Sequence, residues 1–108
     1  MAGTNDADMV LAGNTVRKNK GGLAFALNGQ VVGELPLQVA GLMSTESAES
    51  VEEKLQALKA ALKAHGISED IDAFMTLAFV SLPVIPKLRL NTYGIVDVDA
   101  QRIVPAVF

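Results

Sequence analysis

The stretch that decides the fold is residues 21–35, GGLAFALNGQVVGEL. Two short runs rich in strand-forming residues, Leu23 to Leu27 and Gln30 to Leu35, flank the dipeptide Asn28-Gly29. Asn-Gly supplies the two positive φ angles that a type I′ turn needs, so this pattern predicts a β-hairpin. Pro36 then marks the end of regular strand pairing, because proline has no N–H for the ladder.

Both faces of the predicted hairpin are apolar. A two-residue turn with regular pairing places Leu27 opposite Gln30, Phe25 opposite Val32, and Leu23 opposite Glu34. The other face then carries Ala24, Ala26, Val31 and Gly33. A sheet that is apolar on both sides is covered on both sides, so we expect a packing partner on each face.

A helix is predicted before the hairpin, from about Asp6 to Asn19. Asn5 or Thr4 can cap its start, and the acidic residues of its first turn suit the positive end of the helix dipole. Its apolar face is formed by Met9, Ala12 and Val16. We expect Gly21-Gly22 to end it in a left-handed cap conformation. The basic cluster at its end, Arg17, Lys18 and Lys20, favours the dipole.

A second helix follows the hairpin and begins at Ser47 or at Ser50, which with Glu53 fits a capping box. Its apolar stripe, which we interpret as a core face, is formed by Val51, Leu55, Leu58 and Leu62. Glutamates precede the stripe, while Lys59, Lys63 and His65 lie near its end, an order that favours the dipole. Gly66 is expected to close the helix.

The remainder is less regular. Gly41-Leu42-Met43-Ser44 is an apolar loop. The segment from Asp70 to Leu82 is apolar nearly all round, which leaves helix and strand open; its Ala, Met and Leu content favours a buried helix capped by Asp72. Beyond Pro83 and Pro86, a second hairpin is predicted from Lys87 to Leu90 and from Ile95 to Val98, with a short strand at Ile103-Val104.

The fold class is therefore α+β: β-hairpins in a small, mostly antiparallel sheet packed with two to three helices, in a single domain over residues 1–108.

Composition excludes several classes of protein. A net charge of −3 and a pI of about 5.0 argue against a nucleic-acid partner, which needs a basic face. The absence of cysteine excludes a disulfide scaffold and fits a cytoplasmic location. The first residues lack the features of a signal peptide, and the apolar run from Ala73 to Ile85 is too short for a membrane span. The mean hydropathy of +0.33 has two explanations, an apolar interior or an apolar surface that faces a partner.

No residue forms a convincing catalytic, cofactor-binding or metal site. His65, the single histidine, stands beside a lysine and a glycine at a predicted helix end. Asp97 and Asp99 alternate along a predicted strand and would share one face, but we interpret them as surface residues. Asp70 and Asp72 with Glu69 indicate a helix N-terminus. Gly21-Gly22 lacks a phosphate-loop pattern, and Met43 and Met75 are interpreted as core filler rather than a pocket lining.

Three strings resemble the C-terminal region of bacterial adenine deaminases, which are metal-dependent amidohydrolases. These strings are Gly21 to Gln30 continuing to Gly41-Leu42-Met43-Ser44, Phe74-Met75-Thr76-Leu77, and Leu82-Pro83-Val84-Ile85-Pro86. The similarity starts at about Gly3-Thr4-Asn5-Asp6, which in the family follows a strand that this sequence lacks. We therefore expect the chain to be a piece of a longer one.

The resemblance implies hydrolysis of adenine to hypoxanthine and ammonia in purine salvage, by water activated on manganese or iron. It also implies that an upstream (β/α) barrel holds the metal ligands, so no catalytic or metal residue is carried over here. The expected role is to support the barrel, to cover part of the active-site mouth or to build the interface of a homo-oligomer, with no membrane or nucleic-acid partner. The alternative is a stand-alone binding or dimerisation module. Alone, the fragment is expected to be inactive and to self-associate through apolar surface that the barrel normally covers.

Overall fold

A computed structural model describes residues 1–68 and 70–106. In chain order the elements are α1 (Asp6–Lys18), β1 (Gly22–Leu27), β2 (Gln30–Pro36), α2 (Ala48–Ala64), α3 (Ala73–Ser81), β3 (Leu88–Asn91), β4 (Gly94–Asp97) and β5 (Arg102–Val104). β1 and β2 form one antiparallel sheet, and β3, β4 and β5 form a second in that order. The α+β class is confirmed.

The elements fall into two units, Met1–Asp70 and Ile71–Phe108. The first holds α1, the β1–β2 hairpin and α2, and the second holds α3 and the three-stranded sheet. The expectation of a single domain over residues 1–108 stays a prediction.

The β1–β2 hairpin turns at Asn28-Gly29 as predicted, with φ of 52° and 75° at these two residues. Ala26 pairs with Val31, but Phe25 pairs with Gly33, so Val32 is an extra residue in a β-bulge. The predicted pairs of Phe25 with Val32 and of Leu23 with Glu34 are therefore wrong. The bulge moves Gly33 to the face that carries Phe25, and moves Glu34 to the face of Ala24.

Packing of α2 on the hairpin explains the bulge. A Cβ added to Gly33 would lie 2.7 Å from Cδ1 of Leu58, so the backbone of β2 lies directly against the α2 stripe. Leu58 is 1% exposed, and Leu62 and Leu35 are also buried. The extra residue in β2 therefore brings a glycine, rather than a glutamate, to the helix, and the α2 stripe is confirmed as a core face.

α1 is joined to the hairpin at both of its ends. Near its start, Asp8 Oδ2 accepts from the backbone N–H of Asn28 at 3.0 Å, and Oδ1 accepts from that of Gly29 at 2.8 Å. At its end, Asn19 Nδ2 donates to Glu34 Oε2 at 2.7 Å. Because Glu34 and Gly33 point to opposite faces of β2, α1 and α2 cover opposite sides of the hairpin. This confirms the prediction of a partner on each face.

The Asp8 contacts fix the turn and lower the pKa of the carboxyl group. The largest cause is the hydrogen bond from Asn5 Nδ2, at 2.9 Å, and the Gly29 and Asn28 backbone N–H groups lower the pKa of Asp8 further. Asn5 also caps the helix, because its Oδ1 accepts from Asp8 N at 2.8 Å. The sequence indicated that Asp8, as one of the acidic residues of the first turn, favours the helix dipole, but it did not indicate this contact with the hairpin turn.

α1 ends differently from the prediction. Lys20, not a glycine, takes the left-handed cap conformation with φ of 61°, and the N–H of Gly21 donates to Val16 O at 2.9 Å. Gly21 is needed for another reason: an added Cβ would lie 2.6 Å from the Cα of Gly41. The first glycine therefore permits a close approach between the chain after α1 and the apolar loop.

Both ends of α2 are well defined. Ser47 is the N-cap, and its hydroxyl accepts from Ser50 N at 3.3 Å, so the capping box at Ser50 and Glu53 is wrong and the alternative start is confirmed. At the other end, Gly66 has φ of 91° and the N–H of Ile67 donates to Leu62 O at 3.1 Å. This is a Schellman cap, as expected of Gly66.

The second unit has little buried surface of its own. Asp72 caps α3 as predicted, its Oδ1 accepting from Met75 N at 3.0 Å. The expectation that this helix is buried is wrong: none of its described residues is buried, and residues 75–84 are all exposed. Within the described part of this unit, Val98 is the one buried hydrophobic residue. An all-apolar segment predicts burial, but this unit has too few elements to enclose the helix.

The second hairpin is confirmed with bounds shifted by one residue. Asn91 pairs with Gly94 around a Thr92-Tyr93 turn, and Ile103 in β5 pairs with Val96. β5 begins at Arg102, one residue earlier than expected. In the described part of the chain, no helix has the length and apolar character needed to cross a bilayer.

Replacing Gly29 by valine is expected to destabilise the first unit by about 1–3 kcal/mol, because a β-branched side chain is strained at positive φ. No atom lies within 4 Å of an added Cβ, so strain and not a clash is the cause. Gly29→Asn is the control, because asparagine tolerates this conformation. The denaturation midpoint should fall far more for Gly29→Val; equal midpoints would contradict the assigned turn.

Gly33→Ala should destabilise the first unit by about 1–3 kcal/mol, the usual cost of overpacking a core. The new methyl would overlap Leu58, so Leu58→Ala in the same chain should remove most of that cost, although it leaves a cavity of its own. The test is a double-mutant cycle by urea denaturation. Additive effects would show that Gly33 and Leu58 do not touch.

Asp8→Ala should lower the melting temperature at neutral pH and lose its effect in acid. Because the folded-state pKa of Asp8 lies below its ordinary value of 3.8, its contribution is present above that value and is lost as pH falls through the folded pKa. Melting curves from about pH 7 to about pH 3 should show the difference from wild type closing below about pH 4. Asp6→Ala, in the same helical turn, is the control. A pH-independent difference would contradict the role of the carboxylate.

Candidate functional site

The residues selected from the sequence do not come together in one site. His65 is the C-cap residue of α2, is exposed, and lies with its ring centroid 5.8 Å from that of Phe25. Among residues 1–68 and 70–106, no group of three or more histidine, cysteine, aspartate or glutamate side chains could hold a metal ion.

Asp97 and Asp99 do not share a strand face. Asp97 is the last residue of β4, whereas Asp99 lies in the following turn, so the predicted alternation is wrong. Asp97 Oδ1 accepts from the N–H of Ala100 at 2.9 Å. One carboxylate therefore stabilises the turn between β4 and β5, and the pair does not form an acid–base site.

The acidic residues before α3 also have local roles. Asp72 is the helix cap, and Asp70 Oδ2 accepts from the hydroxyl of Ser68 at 3.3 Å. The N–H of Asp70 in turn donates to Ser68 Oγ at 3.2 Å. This confirms a helix N-terminus at Asp72; Glu69 lies outside the described residues.

A network of polar side chains lies just before α2 and within its first turns. Lys54 Nζ contacts both carboxylate oxygens of Glu46, at 2.5 and 2.6 Å, and Ser50 Oγ donates to Glu46 Oε2 at 2.6 Å. These hydrogen bonds, first that of Lys54, lower the pKa of Glu46. An exposed ion pair of this kind fixes the chain before the helix and contributes little to stability. Sequence reasoning did not select Glu46.

The two methionines are at the surface. Met43 forms an isolated bridge with Val39 in the apolar loop, and Met75 lies in α3; both are exposed. Their interpretation as core filler is wrong. Leu42, beside Met43, is 77% exposed, so the loop presents apolar side chains to solvent. Gly21 permits the close approach to the apolar loop described above, whereas Gly22 lies against the backbone of Leu35 in β2. The basic end of α1 is confirmed at Arg17 and Lys18.

Comparison with known proteins gives a consistent result. The family model of the adenine deaminase C-terminal domain matches residues 1–102. The chain is 55% identical over 96 residues to adenine deaminase of Kosmotoga olearia, covering 89% of this chain and 16% of that protein. It is 46% identical over 105 residues to adenine deaminase 2 of Carboxydothermus hydrogenoformans, covering 97% and 18%. Adenine deaminase of Shigella sonnei is 47% identical over 97 residues, covering 90% and 16%.

These matches agree with the architecture. The chain spans under a fifth of the length of the relatives it matches, yet nearly all of its own length is matched. The described residues contribute helix caps, turn contacts and a surface ion pair, all of which are structural. The chain belongs to the adenine deaminase C-terminal domain family.

Proposed function

We propose that this chain is the C-terminal domain of an adenine deaminase, which hydrolyses adenine to hypoxanthine and ammonia, and that its role there is structural. It binds the catalytic barrel of the same polypeptide, supports it and borders the active-site mouth. The observation that carries this proposal is the match of 97% of the chain to only 18% of a full-length relative.

The residues described here do not fit the divalent manganese or iron that the family resemblance implies. A metal that activates water needs several nitrogen or oxygen ligands that converge, with a proton acceptor nearby. His65 is packed near Phe25 at a helix end, and Asp97 and Asp72 already accept backbone N–H groups. We therefore assign the metal and every chemical step to the barrel, and no step to this domain.

The proposal includes a homo-oligomeric, cytoplasmic enzyme of purine salvage. Exposed apolar residues of the first unit, such as Leu42 and Met43, support a further protein contact. The cysteine-free composition supports a reducing compartment.

The isolated chain should release no ammonia from adenine when manganese, iron or zinc is added, and should retain no stoichiometric metal after dialysis. The complementary test is a chimera, in which this chain replaces the matching region of the Kosmotoga olearia adenine deaminase. The chimera should recover activity that the relative loses when that region is deleted.

Two outcomes would contradict the proposal. Enzyme-like turnover by the isolated chain would contradict a purely structural role. A chimera no more active than the truncated enzyme would contradict the proposed function, and would favour the stand-alone binding or dimerisation module. Gly33→Ala in the chimera is the matched control, because it should reduce activity through folding of this domain alone.

A further inference from the structure

The exposed residues of α3 form a continuous apolar surface. Met75 and Phe79 are one helical turn apart and so lie along one side of α3, and Leu82 follows directly as the C-cap residue. We call these three residues the α3 stripe. Met75 is 51% exposed and Phe79 is 47% exposed. Residues 73–86 contain no charged side chain. Apolar surface of this extent marks a site that another protein surface covers.

The exposure continues around the helix and is not limited to one side. Residues 75–84 are all exposed, and successive helix positions are rotated by about 100°, so exposed positions point in nearly every direction. Ala73 and Phe74, in the first turn of α3, are half-buried, and the rest of the helix is exposed. A flat partner covers one side of such a helix, whereas a groove covers several.

We infer that α3 inserts into an apolar groove on the catalytic barrel of the same polypeptide, with the α3 stripe at the base of that groove. This inference rests on the proposed function and names the surface that performs it. Amphipathic and apolar helices are recognised in this way through side chains spaced i, i+4, i+7. The relatives contain more than four-fifths of their length outside the matched region, which is ample to form the groove.

A permanent partner suits this surface better than a transient one. Obligate interfaces are more hydrophobic than transient ones and resemble a domain core cut in half. The second unit has that character, because its described residues include one buried hydrophobic side chain, Val98, and many exposed ones. A partner in the same polypeptide is present at all times and keeps such a surface covered.

A second copy of the chain is a poorer occupant. α3 has 9 residues and is therefore about 14 Å long. Two such helices crossing along one stripe bury a few side chains each, well below the roughly 800 Å² per partner of a stable interface. They would also leave the opposite side of each helix exposed.

Thiol alkylation tests the inference directly, because the chain has no cysteine of its own. The substitution Met75→Cys is made in the isolated chain and in the Kosmotoga olearia chimera. The rate at which the thiol at position 75 is alkylated is then measured by mass spectrometry in both proteins. Val10→Cys, in α1 and 58% exposed, is the matched control. We expect alkylation at position 75 to slow by about tenfold or more in the chimera, and at position 10 to change by less than about twofold.

A second variant measures binding without a thiol. Phe79→Asp, in contrast to Val10→Asp, should prevent the isolated chain from binding the truncated relative in sedimentation experiments, while circular dichroism of the isolated chain stays unchanged. Equal alkylation at position 75 in both proteins, or binding by Phe79→Asp as tight as by the parent chain, would overturn the inference. So would protection of position 75 in the isolated chain as strong as in the chimera, since a second copy would then be an equally good occupant.

The two proposals fail in different ways. Position 75 protected in an inactive chimera would contradict the proposed function and support the docking of α3. Position 75 reactive in an active chimera would support the proposed function and contradict the docking.

Discussion

The close contact between Gly33 and Leu58 is the constraint on which the first unit depends. An added Cβ at Gly33 would overlap the Leu58 side chain, which is the most deeply buried in the described chain. The bulge at Val32 is what brings a glycine to this position, and the helix can then lie directly on the strand. A two-stranded hairpin is marginal alone, and contact with α2 on one face and α1 on the other makes it stable.

The two units differ in how well they enclose their own apolar residues. In Met1–Asp70, two helices and a hairpin bury Leu35, Leu58 and Leu62. In the second unit, one short helix and three short strands bury Val98 among the described residues. Much of the exposed apolar surface lies in residues 71–106, where α3 carries no charged residue, and further exposed apolar residues, such as Leu42 and Met43, lie in the first unit. This difference supports the proposal that the rest of a longer polypeptide covers the second unit.

Local signals predicted the elements, and tertiary contacts decided what local signals could not. The Asn28-Gly29 turn, the Asn5 and Asp72 caps and the Gly66 cap were correct because each depends on neighbours within a few residues. The register of Phe25 was wrong because a bulge is favoured by packing against Leu58, which is distant in sequence. The prediction that α3 is buried was wrong because an all-apolar sequence indicates that a helix needs a packing partner, but not which part of the protein supplies that partner. The role of Asp8 in the hairpin turn was not predicted because its partners in the turn lie about twenty residues away in sequence.

The central claim is that residues 71–106 are completed by the rest of an adenine deaminase chain. Hydrogen exchange of the α3 amides measures this most directly, because exchange reports the free energy of local opening. The account predicts fast exchange in the isolated chain, where little apolar surface holds the helix closed, and strong protection in the chimera with the Kosmotoga olearia enzyme. Amides near Leu58 should be protected in both. Equal protection of α3 in the isolated chain and in the chimera would contradict the account.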